Sequence, residues 1–258
     1  MWGKRPIALE KDALHRRIYA PTAYAPVRDT AVVPVVHSEA YRLAPWFPLV
    51  WRSRGSEHDF VVVRSLLHDQ RSQPPAARAL LPVILHAYPF VFDPKIPPDA
   101  DSARMLDDVF ADNPTDVGAS ITTSGGKLSR ATILRFRILD GLAREFPVTS
   151  EIGRELAGLG VLEPWDLKFD IEGRAVAIPD LFIVHQDAFD TGIFSAVLEK
   201  FGAPAALVLG LHRVSIFRAG LLLAMARTLL KHTTTGSADD KSDSAARGSA
   251  SEIGAAPQ

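Results

Sequence analysis

The chain has 258 residues, 47% hydrophobic and 23% charged, with 30 acidic against 29 basic side chains and a formal net charge of −1. That is enough apolar material for one sizeable core, and too even a balance to draw the whole molecule onto nucleic acid or an anionic membrane. Cysteine is absent, which removes disulfides, thiol catalysis and thiolate metal sites.

Residues 1–30 read as an extended arm carrying Lys4, Arg5, Lys11, Arg16 and Arg17. Its basic residues are not followed by an apolar run, so no secretory signal is read and a cytoplasmic location is expected. They also lack the aromatic interleaving of a nucleic-acid surface. The domain is expected over residues 31–231. Ala31–Val36 is β-branched and predicts a strand, Ser38 a helix cap ahead of Ala40–Leu43, and Phe47–Trp51 with Phe60–Leu66 a hairpin around Gly55. Ala76–His86 predicts a helix ended by Pro89, and Met105–Phe110 a short strand, with Asp107 and Asp108 at a solvated loop edge. The TTSGGKLS segment lacks the glycine spacing and the hydroxyl after lysine that a phosphate loop needs.

Ser129 caps a predicted helix from Arg130 to about Glu145. Pro147 is expected to break it, and Thr149 to cap a second helix that ends at Gly158 and Gly160. Asp166–Ile171 and Ala175–Ile178 predict a hairpin across Gly173, with Leu181–Val184 extended beside it. A helix over Gly192–Phe201 precedes a long apolar rod, Ala203–Lys231. Charges at His212, Arg213, Arg218 and Arg227 argue against a membrane span there and for a buried core helix. Residues 232–258, rich in Ser, Ala, Gly and Asp, read as a disordered tail. Helices interleaved with antiparallel hairpins, without βαβ periodicity, make the expected class α+β, a single domain around a buried C-terminal helix.

On the rod, His212, Ser215 and Arg218 recur every third residue and form one polar line that must meet a polar partner or a cavity. His212 with Ser215 is half of a nucleophilic pair, with Glu39 or Glu163 to orient it, yet no Gly-x-Ser-x-Gly elbow occurs. His37 and Glu39 have the His-x-acid spacing of an iron-binding facial triad, completed by His185 or His212, with Arg218 for a co-substrate carboxylate. The strand-to-helix junction at Ser38 need not aim both side chains alike, so no metal is favoured and iron is the alternative. Tyr88, Trp46, Trp51 and Trp165 are candidates to line an aromatic or peptidyl pocket. Core packing is the default for each, Trp165 above all.

The segments VVPVVHSEAYRLAPWFPLVW (Val32–Trp51), PVILHAYPFVF (Pro82–Phe92), LAGLGVLEPWDL (Leu156–Leu167), PDLFIV (Pro179–Val184) and LHRVS (Leu211–Ser215) resemble, in order, those of the bacterial SapC family. Family-like positions are Pro34, Glu39, Phe47, Pro48, Tyr88, Pro89, Phe90, Leu162, Glu163, Pro164, His212 and Ser215. Ala87 and His185 depart from it, standing where relatives carry a basic and an acidic residue. The resemblance implies an accessory or binding protein in peptide, protein or small-molecule modification. Relatives neighbour tryptophan halogenases, cupin-type oxygenases and TonB-dependent receptors, so such an enzyme or a peptide is the implied partner. An enzyme centred on His212 is the alternative. A surface-layer role is disfavoured without an export signal. The expected binding residues are Glu39, Tyr88, His212, Ser215 and Arg218.

Overall fold

A computed structural model describes residues 5–9, 14–55, 57–67, 80–93, 96 and 104–231; the tail expected over 232–258 lies outside them. The elements are β1 (Pro6–Ala8), β2 (Arg17–Ile18), α1 (Ala25–Asp29), β3 (Val32–Pro34), α2 (Ala40–Leu43), β4 (Leu49–Arg54), β5 (Glu57–Val63), α3 (Val83–His86), β6 (Phe90–Phe92), β7 (Arg104–Asp107), β8 (Ala119–Ser120), α4 (Arg130–Gly158), β9 (Leu162–Pro164), β10 (Leu167–Ile171), β11 (Arg174–Ile178), β12 (Leu181–Val184), α5 (Ser195–Phe201) and α6 (Ala203–Ser215). A last helix, α7, spans Arg218–Lys231. The described strands pair antiparallel, and the main sheet has the order β3-β5-β4-β12-β9. The class is α+β, in one domain.

The β4–β5 hairpin is the centre of that sheet. It pairs from Leu49↔Val62 to Arg54↔Glu57 around Gly55, whose φ of +66° needs glycine. Alternation puts Leu49, Trp51, Phe60 and Val62 on one face and Arg52, Arg54, Asp59 and Val61 on the other. The first face is buried under α4 and α6: Trp51 lies against His212 of α6, with ring centroids 4.6 Å apart, and against Gly153 of α4.

Several expectations are corrected. Pro147 does not end a helix: α4 runs unbroken through it for 29 residues. Its buried residues fall on both sides of the proline, Phe136, Leu139 and Leu142 before and Ile152 and Leu156 after. Burial along the whole length outweighs the one hydrogen bond that proline forfeits. Thr149 is therefore no cap; its hydroxyl donates back to Glu145 O (3.1 Å).

The apolar rod is two helices, bent by 46° between Ser215 and Arg218. The predicted Ala76–His86 helix is helical only over Val83–His86, begun by Pro82 in an extended conformation; residues 76–79 lie outside the described part. Strand β12 pairs with β4 and β9, not with the β10–β11 hairpin. Within the arm, β1 pairs with β7, β2 with β8, and Tyr24 and Val27 enter the core. Asp107, expected at a solvated edge, is buried and accepts from the Arg5 backbone N–H (2.6 Å).

Contact between α4 and the sheet is tightest at Gly153, where an added Cβ would stand 2.5 Å from His58 O and 3.3 Å from the Trp51 ring. Gly153→Ala should therefore lower stability by about 1–3 kcal/mol through overpacking, although helix propensity alone favours alanine by about 1 kcal/mol. Gly141→Ala on the same helix, with open space around it, should show the propensity gain. Denaturant unfolding of the two variants checks the sign.

Candidate functional site

Leu49 faces Val62 of β5 at a point in the ladder where its own N–H and C=O point the other way, toward β12. There β12 pairs with β4 only at Leu181↔Arg52 and Phe182↔Trp51. Two residues further on, α6 enters the opening instead. The His212 ring bridges the gap: Nδ1 lies 2.7 Å from Leu49 O, and the Val184 N–H donates to Nε2 (3.1 Å). The Leu49 N–H donates to Ser215 Oγ (3.0 Å), and that hydroxyl donates to His212 O (3.0 Å).

This geometry fixes the chemistry. A carbonyl on one side requires Nδ1–H, and an amide donor on the other requires a bare Nε2. The ring is thus neutral, and burial pushes its pKa down to about 4. With its lone pair held by Val184, His212 takes no proton from Ser215, whose own hydrogen points to a carbonyl. The nucleophilic pair is not assembled.

Glu39, His37 and Tyr88 are similarly engaged, and elsewhere. Glu39 closes the turn ahead of α2. Its carboxylate accepts from the Val36 N–H (3.3 Å) and the Val83 N–H (2.5 Å). It is 3% exposed, and burial raises its pKa to about 7 despite those two donors. Ser38, expected as the cap, instead donates to Glu145 Oε2. His37 turns to Thr149, with Nδ1 3.0 Å from Oγ1, and burial lowers its pKa.

Tyr88 is buried and donates to Asp107 Oδ2 (2.8 Å); burial first, then that carboxylate, holds its pKa far above the ordinary phenol value. Arg218 is exposed beyond the bend. The structure thus joins His212 to Ser215 and gives Glu39, Tyr88 and Arg218 no hydrogen bond to either. Nor do the residues fit iron. Both nitrogens of His212 and both oxygens of Glu39 are already bonded to main chain, and among the described residues no three His, Asp or Glu side chains converge as a metal site.

Open space lies on the opposite face of the sheet, in three adjoining clefts. The first, of about 270 Å³, is lined by Val32, Pro34, Val61, Arg52, Arg54, Asp59 and Asp180. The second, of about 260 Å³, shares Val32 and Arg52 with it, and the third, of about 360 Å³, shares Ser53 and Asp180. Arg54 is committed to Asp59 (3.3 Å). The side chains of Arg52 and Asp180 make no hydrogen bond or ion pair among the described residues, although both line the first cleft.

Asp180 has left-handed backbone (φ 62°) and accepts from the Ser53 N–H (2.9 Å) through its main-chain oxygen. None of the five expected binding residues lines these clefts. Trp165, judged the most purely structural tryptophan, lines the third, while Trp51 is fully buried. Strand alternation was the available signal for Arg52: it stands opposite Trp51 in the pleat, on the face without α4 and α6.

Truncating His212 leaves Leu49 O and the Val184 N–H buried and unmatched, so His212→Ala should cost about 3–5 kcal/mol in denaturant unfolding. Two pH effects oppose each other. The His212 contribution is complete above about 6.5 and is lost as pH falls toward 4, because the unfolded imidazole takes up a proton that the folded one refuses. Glu39 acts the other way: its contribution is complete below 4.5 and is lost as pH rises through about 7. Glu39→Gln removes only the second effect. Its stability should climb from about pH 4.5 to 7 more steeply than that of the wild type, measured as unfolding midpoint against pH.

No curated protein and no solved structure matches the chain. A family model does, over residues 12–201. The match takes in the main sheet, α4 and the residues lining all three clefts, and it ends before α6 and the LHRVS segment. On that match the chain belongs to the SapC family.

Proposed function

We propose that this SapC-family protein is an accessory binding module in the cytoplasm, working beside a modifying enzyme, and that a peptide segment is its ligand in the clefts around Arg52. The observation that carries this reading is the contrast between spent and unspent polar groups. His212, Ser215, Glu39 and Tyr88 are all bonded inside the protein, and none is left to act on a substrate. Arg52 and Asp180 are opposite charges whose side chains make no hydrogen bond or ion pair among the described residues, at one opening walled by Val32, Pro34 and Val61. A peptide supplies the matching groups: a carboxylate for the guanidinium, N–H donors for Asp180 and apolar side chains for the walls.

A tryptophan halogenase or a cupin-type oxygenase is the partner enzyme that the family resemblance suggests. The catalytic reading has one observation in its favour, the Glu39 pKa near 7, which suits proton transfer. That carboxyl is buried beneath two amide donors, with no cleft beside it among those described, so the binding reading is preferred.

A library of short peptides screened by fluorescence polarisation tests it. Selected sequences should bind the wild type and lose about tenfold or more on Arg52→Ala, the weight of one charge-assisted contact. Glu39→Gln should leave affinity unchanged. Absence of binding, or equal binding by Arg52→Ala, contradicts the assignment of the cleft.

A further inference from the structure

Helices α6 and α7 present their buried sides, including Val208, Leu209, His212, Leu222 and Ala226, to the domain. The outer side of α6 is apolar as well, and that of α7 is largely basic. Ala203, Leu207, Gly210, Val214, Phe217 and Ala224 are exposed and fall four, three, four, three and seven residues apart. Within α6 that spacing makes a single stripe; Phe217 stands exposed in the bend after it, and α7 adds Ala224 beside the exposed Arg218 and Arg227. Leu207 is 38% exposed, Val214 58% and Phe217 76%.

The charges beside this stripe have one sign. From Ala203 to Lys231 there is no Asp or Glu, while Arg213, Arg218, Arg227 and Lys231 are all basic. Arg213 lies over the Phe189 ring and Lys231 is 3.6 Å from Glu172. Arg218 and Arg227 are exposed, with no ion pair among the described residues. A chain of net charge −1 thus places two arginines without an ion pair among the described residues beside an exposed apolar line.

We propose that this outer face of α6 and α7 docks on an anionic lipid surface, the apolar stripe entering the headgroup–acyl boundary and Arg218 and Arg227 meeting lipid phosphates. Apolar residues flanked by basic ones are the composition of an interfacial helix. No single helix among those described is long and apolar enough to cross a membrane, but the bent pair reaches the length and composition of a span. With one side packed on the domain, it lies on a bilayer and does not traverse it. A second copy of the chain fits the face less well, since it would bring a second set of arginines and no acid to oppose them. The low net charge does not oppose docking, because the attraction acts within about 10 Å of the strip. The helix pair lies beyond the residues that the family model matches.

Flotation of the full-length protein with vesicles tests it. The protein should rise with phosphatidylcholine vesicles that contain phosphatidylglycerol, fail to rise with phosphatidylcholine alone, and release as salt is raised. Val214→Ser with Phe217→Ser, and separately Arg218→Gln with Arg227→Gln, should each weaken partitioning about tenfold or more. These side chains are exposed, so thermal unfolding of both double variants should match the wild type. Four results would overturn the proposal: no flotation, equal flotation with neutral vesicles, flotation indifferent to both variants, or a dimer in light scattering that Val214→Ser with Phe217→Ser makes monomeric. The last assigns the face to a second copy. A fifth result, binding of an acidic protein in place of anionic vesicles, would overturn it too and assign the face to a protein partner. The Arg52 cleft stands or falls separately, since no residue of α6 or α7 lines it.

Discussion

Beside β4, a histidine ring does the work of a strand. The outward N–H and C=O of Leu49 are satisfied by Ser215 and His212, and the same ring reaches across to Val184. Backbone groups buried without partners are costly, so the sheet is complete only when α6 is in place. The ring in turn packs edge-on to Trp51, which also lies against Gly153 of α4. One imidazole thereby couples the sheet, α4 and α6. Such a position demands a neutral ring that both donates and accepts, which among side chains of this shape only histidine supplies.

The same economy recurs through the core. Glu39 holds the amides of Val36 and Val83, Asp107 holds the Arg5 amide and the Tyr88 hydroxyl, and Arg64, 1% exposed, donates to Val27 O (2.9 Å). Burial lowers the Arg64 pKa to about 10. These buried polar groups join irregular connections to regular elements, which a domain of short strands and long loops requires. Groups engaged this way are not free for chemistry. What remains open is on the surface: charged clefts on one face of the sheet and an apolar, basic-edged stripe on the last helices.

Much of the fold was legible because local rules agreed with tertiary ones. The β4–β5 hairpin followed from alternating apolar residues around Gly55, and the β10–β11 hairpin closed with positive φ at Glu172 and Gly173. Ser129 caps α4 as expected, accepting from the Thr132 N–H. TTSGGKLS forms a small hairpin bridged at Thr122↔Leu128, in keeping with its failure as a phosphate loop. The readings that failed were those where distant packing overrode a local signal. Pro147 breaks an isolated helix but not one stitched to the core on both sides. The polar line at every third residue was right for His212 and Ser215, which share Leu49. It failed for Arg218 because the helix bends between, and no spacing announces that bend. The Arg52 cleft was missed because the predicted strand stopped at Trp51, whereas β4 continues to Arg54, and an arginine past a strand reads as ordinary surface. Only the fold brings Asp180 and Pro34 beside it.

The central claim is that His212 is a fixed, neutral link between strands and does not act as a base. Long-range ¹H–¹⁵N correlation spectra of the histidine side chains test it directly. The account predicts one resonance set with Nδ1 protonated and Nε2 bare, unchanged between about pH 5 and 8, where an ordinary histidine titrates. A His212 ring that titrates in that range, or carries its proton on Nε2, would contradict it.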